Sequence, residues 1–267
     1  MNDAARLAAP SDRCTAPDSQ LPVLRTMPAL VLLAAALFGL AAGAGAAPAH
    51  PAAESPFANA DTTCAVVADG FERRTPDTLT APHDLTTAAP AVAGSRSVHV
   101  VVEIPAGTSE KWEVTADGRH LAIERVDGRR RRIRYLPYPT NYGFIPATRS
   151  DPTTGGDGDP IDVILIGPAR PCGALVQARV VGMLRLRDDG ERDDKILAVS
   201  PDAPVDASGG VAGLRNRYPG MLQILETWFT HYEGPGNESR GIAGASEAWS
   251  TVHDAARSLE GSSPADR

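Results

Sequence analysis

The chain has 267 residues, of which 42% are hydrophobic and 22% are charged, a composition typical of a globular protein with a sizeable core. Its formal net charge of −7 argues against a general nucleic-acid binder, because such proteins present a basic surface. The negative charge does not exclude an anionic ligand, since bound divalent cations can reverse the local sign of an acidic site.

Residues 1–47 have the pattern of a secretory signal. Arginines precede an uncharged apolar run from Met27 to Ala47, and the run ends in small residues; this is the order of the charged, apolar and cleavage regions of a signal peptide. The alternative is an uncleaved membrane anchor, since the run approaches the ~20 residues that span a bilayer. The glycines and alanines at its end favour cleavage. We therefore predict an exported protein, periplasmic or extracellular, with a membrane-anchored protein as the alternative.

Residues 48–95 are rich in Ala, Pro, Thr and Asp and show little periodicity, which predicts a flexible N-terminal extension. Cys64 lies in this extension, and Cys172 is the other cysteine that remains after signal removal. In an oxidising compartment the two can pair, but their spacing leaves the pairing open.

A folded domain is predicted over residues 96–267, beginning with the β-branched run Val98–Ile104. Asp-Gly turn signals separate several further short strands. These are Lys111–Val114, His120–Arg125, Arg132–Tyr135, Ile161–Ile166, Leu175–Leu186 and Ile196–Val199. Many short strands with little helix between them indicate a closed or partly closed β-barrel.

Helices are predicted only towards the C-terminus. One runs from Pro219 to about Tyr232, with apolar residues near helical spacing on one stripe, and proline suits its first turn. The glycines at 234 and 236 end it, and a second helix is predicted over Ser246–Leu259. The predicted class is mainly β (α+β), with C-terminal helices flanking the barrel.

The most specific feature is the segment Gly155–Val163 (GGDGDPIDV), which holds Asp157, Asp159 and Asp162. Carboxylates this close repel one another unless a cation lies among them, and hard oxygen ligands suit magnesium, manganese or calcium rather than zinc. An EF-hand does not fit, because Asp162 stands where that loop needs glycine. The alternative is a solvated acidic turn.

Two further segments become informative when they are considered together with the acidic segment Gly155–Val163. The acidic segment Asp188–Lys195 has the ordinary interpretation of a charged hairpin turn, and Tyr138–Pro146 (YPTNYGFIP) that of an aromatic barrel corner. Tyrosine hydroxyls can donate hydrogen bonds to oxyanions. The three segments together indicate a cation site beside phenolic donors.

From Val102 to Tyr232 the sequence resembles the soluble family I inorganic pyrophosphatases, with the secreted bacterial branch most similar. The matching segments, in the family's order, are Glu103–Pro105, Lys111–Glu113, Tyr138–Gly143, Asp157–Asp162, Asp188–Lys195 and Trp228–Tyr232. The resemblance implies an OB-like closed β-barrel and homo-oligomers. It also implies an inorganic diphosphatase whose catalytic domain, residues 96–267, hydrolyses inorganic pyrophosphate to two phosphates by a metal-activated water. The cofactor implied is Mg²⁺, with Mn²⁺ as a substitute, and a membrane would be a partner only if the N-terminal segment is uncleaved.

The resemblance also implies roles for single residues. Asp157, Asp162 and Asp193 would hold the metal pair that activates water, with Asp162 bridging the ions and Asp159 as the general base. Further metals would be held by Asp188 with Asp193, and by Glu103 and Glu113. Two metals that activate water and stabilise the leaving phosphate suit the hydrolysis of a highly charged anhydride.

The phosphate groups would be bound by Lys111, Arg131, Lys195, Tyr142 and Tyr232, and the resemblance counts Tyr142, Lys111 and Arg131 among the catalytic residues. Arg131 belongs to a run of four arginines, 129–132, so a gap of one residue changes which of them matches. For the other three arginines of this run, the alternative is a solvated basic strand end.

One position departs from the family pattern. After Tyr232 the family has a lysine that contacts phosphate, and this chain has Glu233. The alternative function is therefore a catalytically weakened descendant of the same fold that binds metal or phosphate. A third interpretation is a surface-anchored protein whose catalytic domain is incidental. The intact aspartates favour the enzyme.

Overall fold

The computed structural model describes residues 64–261, and strands dominate this part of the chain. The strands are β1 (Glu72–Thr75), β2 (Thr78–Thr80), β3 (Val92–Gly94), β4 (Ser97–Ile104), β5 (Trp112–Val114), β6 (His120–Ile123), β7 (Arg125–Val126), β8 (Arg129–Arg130), β9 (Asn141–Phe144), β10 (Asp162–Ile166), β11 (Leu175–Asp188), β12 (Glu191–Arg192), β13 (Lys195–Val199) and β14 (Asn237–Gly244). The helices are α1 (Gly210–Arg217), α2 (Met221–His231) and α3 (Ala245–Gly261), with a short 3₁₀ helix over Pro152–Thr154. The mainly β class is confirmed.

Five strands of the main sheet pair in a ring. β4 pairs with β9, β9 with β10, β10 with β13 and β13 with β11, and β11 pairs back with β4. The β10–β13 pair is parallel and the other four are antiparallel. The ring returns to β11 because this strand has 14 residues: its first part pairs with β4 and its later part with β13.

The ring strands β9, β10 and β13 and the second half of β4 are buried on both faces. Successive residues of a strand point to opposite faces, and in β4 Val98, Val100 and Val102 enter one apolar cluster whereas Val101 and Ile104 enter another. Residues of α3 pack in the first cluster and residues of α2 in the second. This double burial explains why β10 and β13 appear in the sequence as nearly continuous apolar runs.

The described part of residues 48–95 is not the flexible extension that its composition predicted. β2 pairs with β6, and β3 pairs with β4; Leu79 in β2 is fully buried. A disulfide joins Cys64 to Cys172, with their Cα atoms 5.4 Å apart. Composition missed these strands because they are short and because β2 pairs with β6, which lies far along the chain. The predicted signal, residues 1–47, lies outside the described residues.

The helix predictions hold with shifted ends. α2 begins at Met221 after Gly220, whose φ is 83°, so Pro219 precedes the helix instead of lying in its first turn. α3 confirms the second predicted helix, whereas α1 was not predicted. The strand expected over Arg132–Tyr135 is wrong, because only Arg132 pairs there, in an isolated bridge. Among residues 64–261, no helix is long and apolar enough to cross a membrane.

Candidate active site

One cavity of about 250 Å³ gathers side chains from distant parts of the sequence. They come from the end of β4, from β5, from β9, from the loop before β10, from the segment that joins β11 to β13, and from the C-terminal end of α2. The predicted site residues on its wall are Glu103, Lys111, Glu113, Tyr142, Asp157, Asp159, Asp162, Asp188, Asp193, Lys195 and Tyr232. Arg131 is the predicted site residue that does not line it.

Backbone hydrogen bonds shape the acidic loop. Gly158 has a φ of 92°, a conformation that glycine adopts without a steric penalty, and its N–H donates to the Ser150 carbonyl at 3.1 Å. The Asp159 N–H donates to Asp157 Oδ1 at 2.9 Å. Burial, together with the charges of Asp157 and Asp162, raises the pKa of Asp159. The loop therefore holds three carboxyl groups close together, with Asp162 fixed as the first residue of β10.

Lys195 is the buried cation of the cavity. Its side chain is 5% exposed, and Nζ lies 2.6 Å from Asp162 Oδ2 and 2.5 Å from Asp193 Oδ1. Burial opposes the charged ammonium, but the two carboxylates outweigh burial and raise the pKa of Lys195. Nζ also lies 5.7 Å from the centre of the Tyr142 ring. Asp162 and Asp193 are thus already arranged around one positive charge.

The pKa values of Glu103 and Asp193 show that the cavity compensates negative charge poorly. Burial raises the pKa of Glu103 to about 8, although the Val114 N–H donates to its Oε1 at 2.7 Å. Burial also raises the pKa of Asp193, against the opposing effect of Lys195. A cation placed among these groups would favour their ionised forms.

A cluster of aromatic rings positions the two phenols of the cavity. The Tyr232 ring stacks on Trp228 with 4.4 Å between centroids, and Trp228 Nε1 donates to the Leu136 carbonyl at 2.9 Å. Tyr138 packs against both Tyr142 and Trp228 but is itself buried and does not line the cavity. Burial raises the pKa of Tyr142, so its hydroxyl stays a hydrogen-bond donor.

A network of ion pairs borders the cavity beside the phenols. Lys111 Nζ lies 2.7 Å from Glu113 Oε1 and 3.2 Å from Glu124 Oε2. Arg131 Nη1 donates to both Glu124 oxygens at 2.9 and 2.8 Å, and its Nη2 contacts Glu233. Glu124 was not predicted as a site residue. Its place is set by backbone pairing with Lys111 and Arg131, both at 2.8 Å, and no local motif marks that pairing.

A second cavity of about 460 Å³ lies on the other side of the aspartates and shares Asp157, Asp162 and Asp193 with the first. Lys111, Lys195 and the two phenols line only the smaller cavity. We place the candidate active site in the smaller cavity, because of the two only that one combines the carboxylates with lysines and phenols.

The donor set fits hard divalent cations, which take carboxylate oxygens as ligands. Across residues 64–261, no three carboxyl, imidazole or thiol groups are close enough together to hold an ion as they stand. The Lys195 ammonium between Asp162 and Asp193 shows, however, that these carboxylates can surround a positive charge. The residues that would hold cations are Asp157, Asp162, Asp188, Asp193, Glu103 and Glu113.

Fold and cavity together define a class of protein, a mainly β scaffold that holds a cluster of carboxylates beside lysine and tyrosine donors. Residues 100–260, more than half of the chain, match the family model of inorganic pyrophosphatase. The chain therefore belongs to the inorganic pyrophosphatase family, and the predicted resemblance to the soluble family I proteins is confirmed.

Named relatives agree with this assignment. The soluble inorganic pyrophosphatase 1, chloroplastic, of Chlamydomonas reinhardtii is 38% identical over 157 residues, which are 55% of this chain and 56% of the relative. The inorganic pyrophosphatase of Synechocystis is 40% identical over 117 residues, 43% of this chain and 63% of the relative. The type I inorganic pyrophosphatase structure from Toxoplasma gondii has a TM-score of 0.64 at 26% identity and covers 68% of this chain and 92% of that one. The chain thus spans less than two thirds of the length of these two sequence relatives.

Proposed function

We propose that the protein is an inorganic diphosphatase, which hydrolyses pyrophosphate to two phosphates. The observation that carries this proposal is the wall of the 250 Å³ cavity, where carboxylates suited to cations lie next to lysines and phenols suited to phosphate. Phosphoryl transfer depends on positioning and on charge neutralisation, and this wall supplies groups for both. Membership of the inorganic pyrophosphatase family supports the proposal.

The cofactor proposed is Mg²⁺, with Mn²⁺ as a substitute. When bound, divalent cations neutralise charge on phosphate oxygens and lower the pKa of water. The chain's part is to hold them, through Asp157, Asp162, Asp188, Asp193, Glu103 and Glu113. Asp162 suits a bridging role because it begins β10 and contacts the same ammonium as Asp193.

Other side chains act directly on water and substrate. Asp159 is the proposed general base, since its carboxyl group is on the cavity wall and its backbone is held in the acidic loop. The lysines attract the phosphate groups, and the phenols donate hydrogen bonds to phosphate oxygens. The residues with these binding roles are Lys111, Lys195, Tyr142 and Tyr232.

One observation favours the second candidate, a weakened descendant that binds metal or phosphate. The guanidinium of Arg131, which was predicted to bind phosphate, contacts Glu124 and Glu233 and lies off the cavity wall. A phosphate in the cavity then meets fewer free cations. We keep diphosphatase activity as the leading proposal because the aspartates and both lysines are in place.

We further propose that the ring of strand pairings is an OB-like closed barrel and that the protein is a homo-oligomer. We also propose that it is exported, to the periplasm or outside the cell, within the secreted bacterial branch; a membrane-anchored form is the alternative. The apolar run from Met27 to Ala47 and the Cys64–Cys172 disulfide support export, since disulfides persist in oxidising compartments. Sequencing the mature N-terminus from the native compartment tests this, and we expect a start between Gly45 and Ala49.

Phosphate release from pyrophosphate by the full chain tests the activity. We expect release with Mg²⁺, loss of release after chelation with EDTA, and recovery when Mg²⁺ is restored. If no phosphate appears while the protein still binds Mg²⁺, the diphosphatase proposal is wrong and the second candidate replaces it.

A further inference from the structure

Arg131 is separated from the cavity by a carboxylate. Glu233 lines the cavity and contacts Arg131 Nη2, whereas Arg131 itself does not line the cavity. On its other edge the guanidinium donates to both oxygens of Glu124. The side chains of Arg131 and Glu233 are 25% and 24% exposed. Arg131 Nη2, which could donate a hydrogen bond to a phosphate oxygen, therefore already contacts the Glu233 carboxylate.

The charges in this network do not cancel. Its cations are Lys111 and Arg131, and its carboxylates are Glu113, Glu124 and Glu233, which leaves one negative charge in excess. The pKa of Arg131 is raised because Glu233 and Glu124 outweigh its burial, so the guanidinium stays charged. An anion that approaches Arg131 from the cavity meets the Glu233 carboxylate first.

We infer that Glu233 is an internal competitor of the substrate: its carboxylate occupies the guanidinium that a phosphate group would otherwise bind, and thereby sets the affinity of the site. This inference rests on the proposed function. Glu233 is a positioning residue for Arg131, and a phosphate group that reaches Arg131 must displace it.

Glu233, and not Glu124, is the carboxylate that leaves. Glu124 is shared by Lys111 and Arg131 and accepts two hydrogen bonds from the latter. Glu233 follows the C-terminal end of α2, where the helix dipole disfavours negative charge, and the long 3.4 Å contact from Asn237 adds little. Arg131 and the hydroxyl of Tyr232, which donates a side-chain hydrogen bond to Glu233, are thus the groups that hold Glu233 in place.

Steady-state kinetics on Glu233→Gln test the inference. Without the competing charge, Arg131 can make a charge-assisted hydrogen bond to phosphate, so the KM for magnesium pyrophosphate should fall about 10- to 100-fold, with kcat changed less than about threefold. The matched control is Glu238→Gln, because Glu238 is an exposed carboxylate on β14 that contacts Arg240 at 2.7 Å and does not line the cavity. An equal fall of KM in both variants would overturn the inference, since it would mark a general effect of net charge.

A double-mutant cycle adds a measurement of KM that would not change in the expected way if Glu233 had a purely structural role. Lys lacks the forked donors of Arg. Arg131→Lys should raise KM less than about threefold in the parent, where Arg131 is occupied, and about tenfold in the Glu233→Gln background. Additive effects of the two substitutions would contradict a competition for one guanidinium.

Binding of a substrate analogue separates this inference from the proposed function. Methylenediphosphonate with Mg²⁺ cannot be hydrolysed, so calorimetric titration measures its affinity without turnover. Tighter binding by Glu233→Gln supports the internal competitor even if none of the proteins hydrolyses pyrophosphate. Equal affinity of parent and Glu233→Gln would overturn the inference even if both are active.

Discussion

Lys195 lies between Asp162 and Asp193, with its Nζ within 2.6 Å of both carboxylates. Around this ion pair stand Asp157, Asp159 and Glu103, and burial raises the pKa of the latter two. At the residue scale, the site is a set of carboxyl groups, of which Glu103 is buried and Asp157 and Asp159 are exposed, with too few cations. Divalent ions would relieve this imbalance.

Asp162→Asn should lower magnesium-dependent pyrophosphate hydrolysis by at least about 100-fold, a loss comparable to that of one preorganised charged group in an active site. The physical reason is that the amide removes a charge from the pair that surrounds Lys195 and is proposed to bridge two ions. Phosphate release at saturating substrate is the measurement. Asp127→Asn is the matched control, because Asp127 is exposed at a hairpin tip with a φ of 52°, a conformation that asparagine tolerates. Activity of Asp162→Asn within twofold of the parent would exclude the bridging role.

Asp159→Asn should lower kcat by ~10²–10⁴-fold, the usual contribution of a positioned general base, while most of the Mg²⁺ affinity remains. Asparagine keeps the shape of the side chain but cannot accept the proton. Calorimetric titration with Mg²⁺ and rate measurements on the same preparation separate the two effects. If affinity and rate fall together, Asp159 is a metal ligand and the base must be another group.

At the scale of secondary-structure elements, α2 supports the cavity through its rings. Trp228 stacks on Tyr232 and bonds the Leu136 carbonyl, and Phe229 stacks on Tyr142 with 5.7 Å between centroids. The helix thus links a phenol at its own end to a phenol on β9. On the opposite side, β9 fits against β4 because position 143 is glycine: a Cβ there would lie 1.9 Å from the Val101 carbonyl oxygen.

Trp228→Ala should destabilise the protein by about 3–5 kcal/mol, the usual cost of removing a large buried aromatic side chain. The substitution leaves a cavity under Tyr232 and removes the donor to the Leu136 carbonyl. Urea denaturation of parent and variant measures the free energy of unfolding. Ile224→Ala is the control on the same helix, because Ile224 is 63% exposed and should change stability by less than about 0.5 kcal/mol. Similar values for both variants would show that the aromatic cluster does not stabilise this region.

At the scale of the whole described molecule, the fold is held by contacts between distant parts of the chain. β11 completes the ring by pairing with both β4 and β13. The buried Cys64–Cys172 disulfide joins residues 108 positions apart, and the Ala68 N–H donates to the Cys172 carbonyl at 2.9 Å. The N-terminal strands are thereby tied to the loop before β11.

Reduction of the disulfide should lower the free energy of unfolding by about 2–5 kcal/mol, because the unfolded chain regains the freedom that a loop of this length had lost. Guanidinium denaturation with and without reductant measures the difference, with thiol titration to verify complete reduction. The double variant Cys64→Ser/Cys172→Ser should be as stable as the reduced parent and insensitive to reductant. A fully reduced parent with an unchanged denaturation midpoint would contradict this prediction.

Local features of the sequence determined the central strands and the acidic loop. Val98–Ile104 is a run rich in β-branched residues, and the burial of Val100, Val101 and Val102 follows from that pattern. Asp157, Asp159 and Asp162 lie within six positions, so their convergence needed only a tight turn. The family motifs extended this to Glu103, Lys195 and the tyrosines. The strand and turn predictions succeeded because periodicity and turn chemistry act within a few residues.

The tertiary structure decided what depends on long separations. Composition predicted a flexible segment where β2 pairs with the distant strand β6, and spacing left the pairing of Cys64 with Cys172 open. Arg131 and Glu233 are 102 positions apart, so no local sequence pattern could show that their side chains are in contact. The pairing and packing of distant segments bring such residues together. These contacts depend on the folded structure as a whole and not on the propensities of neighbouring residues.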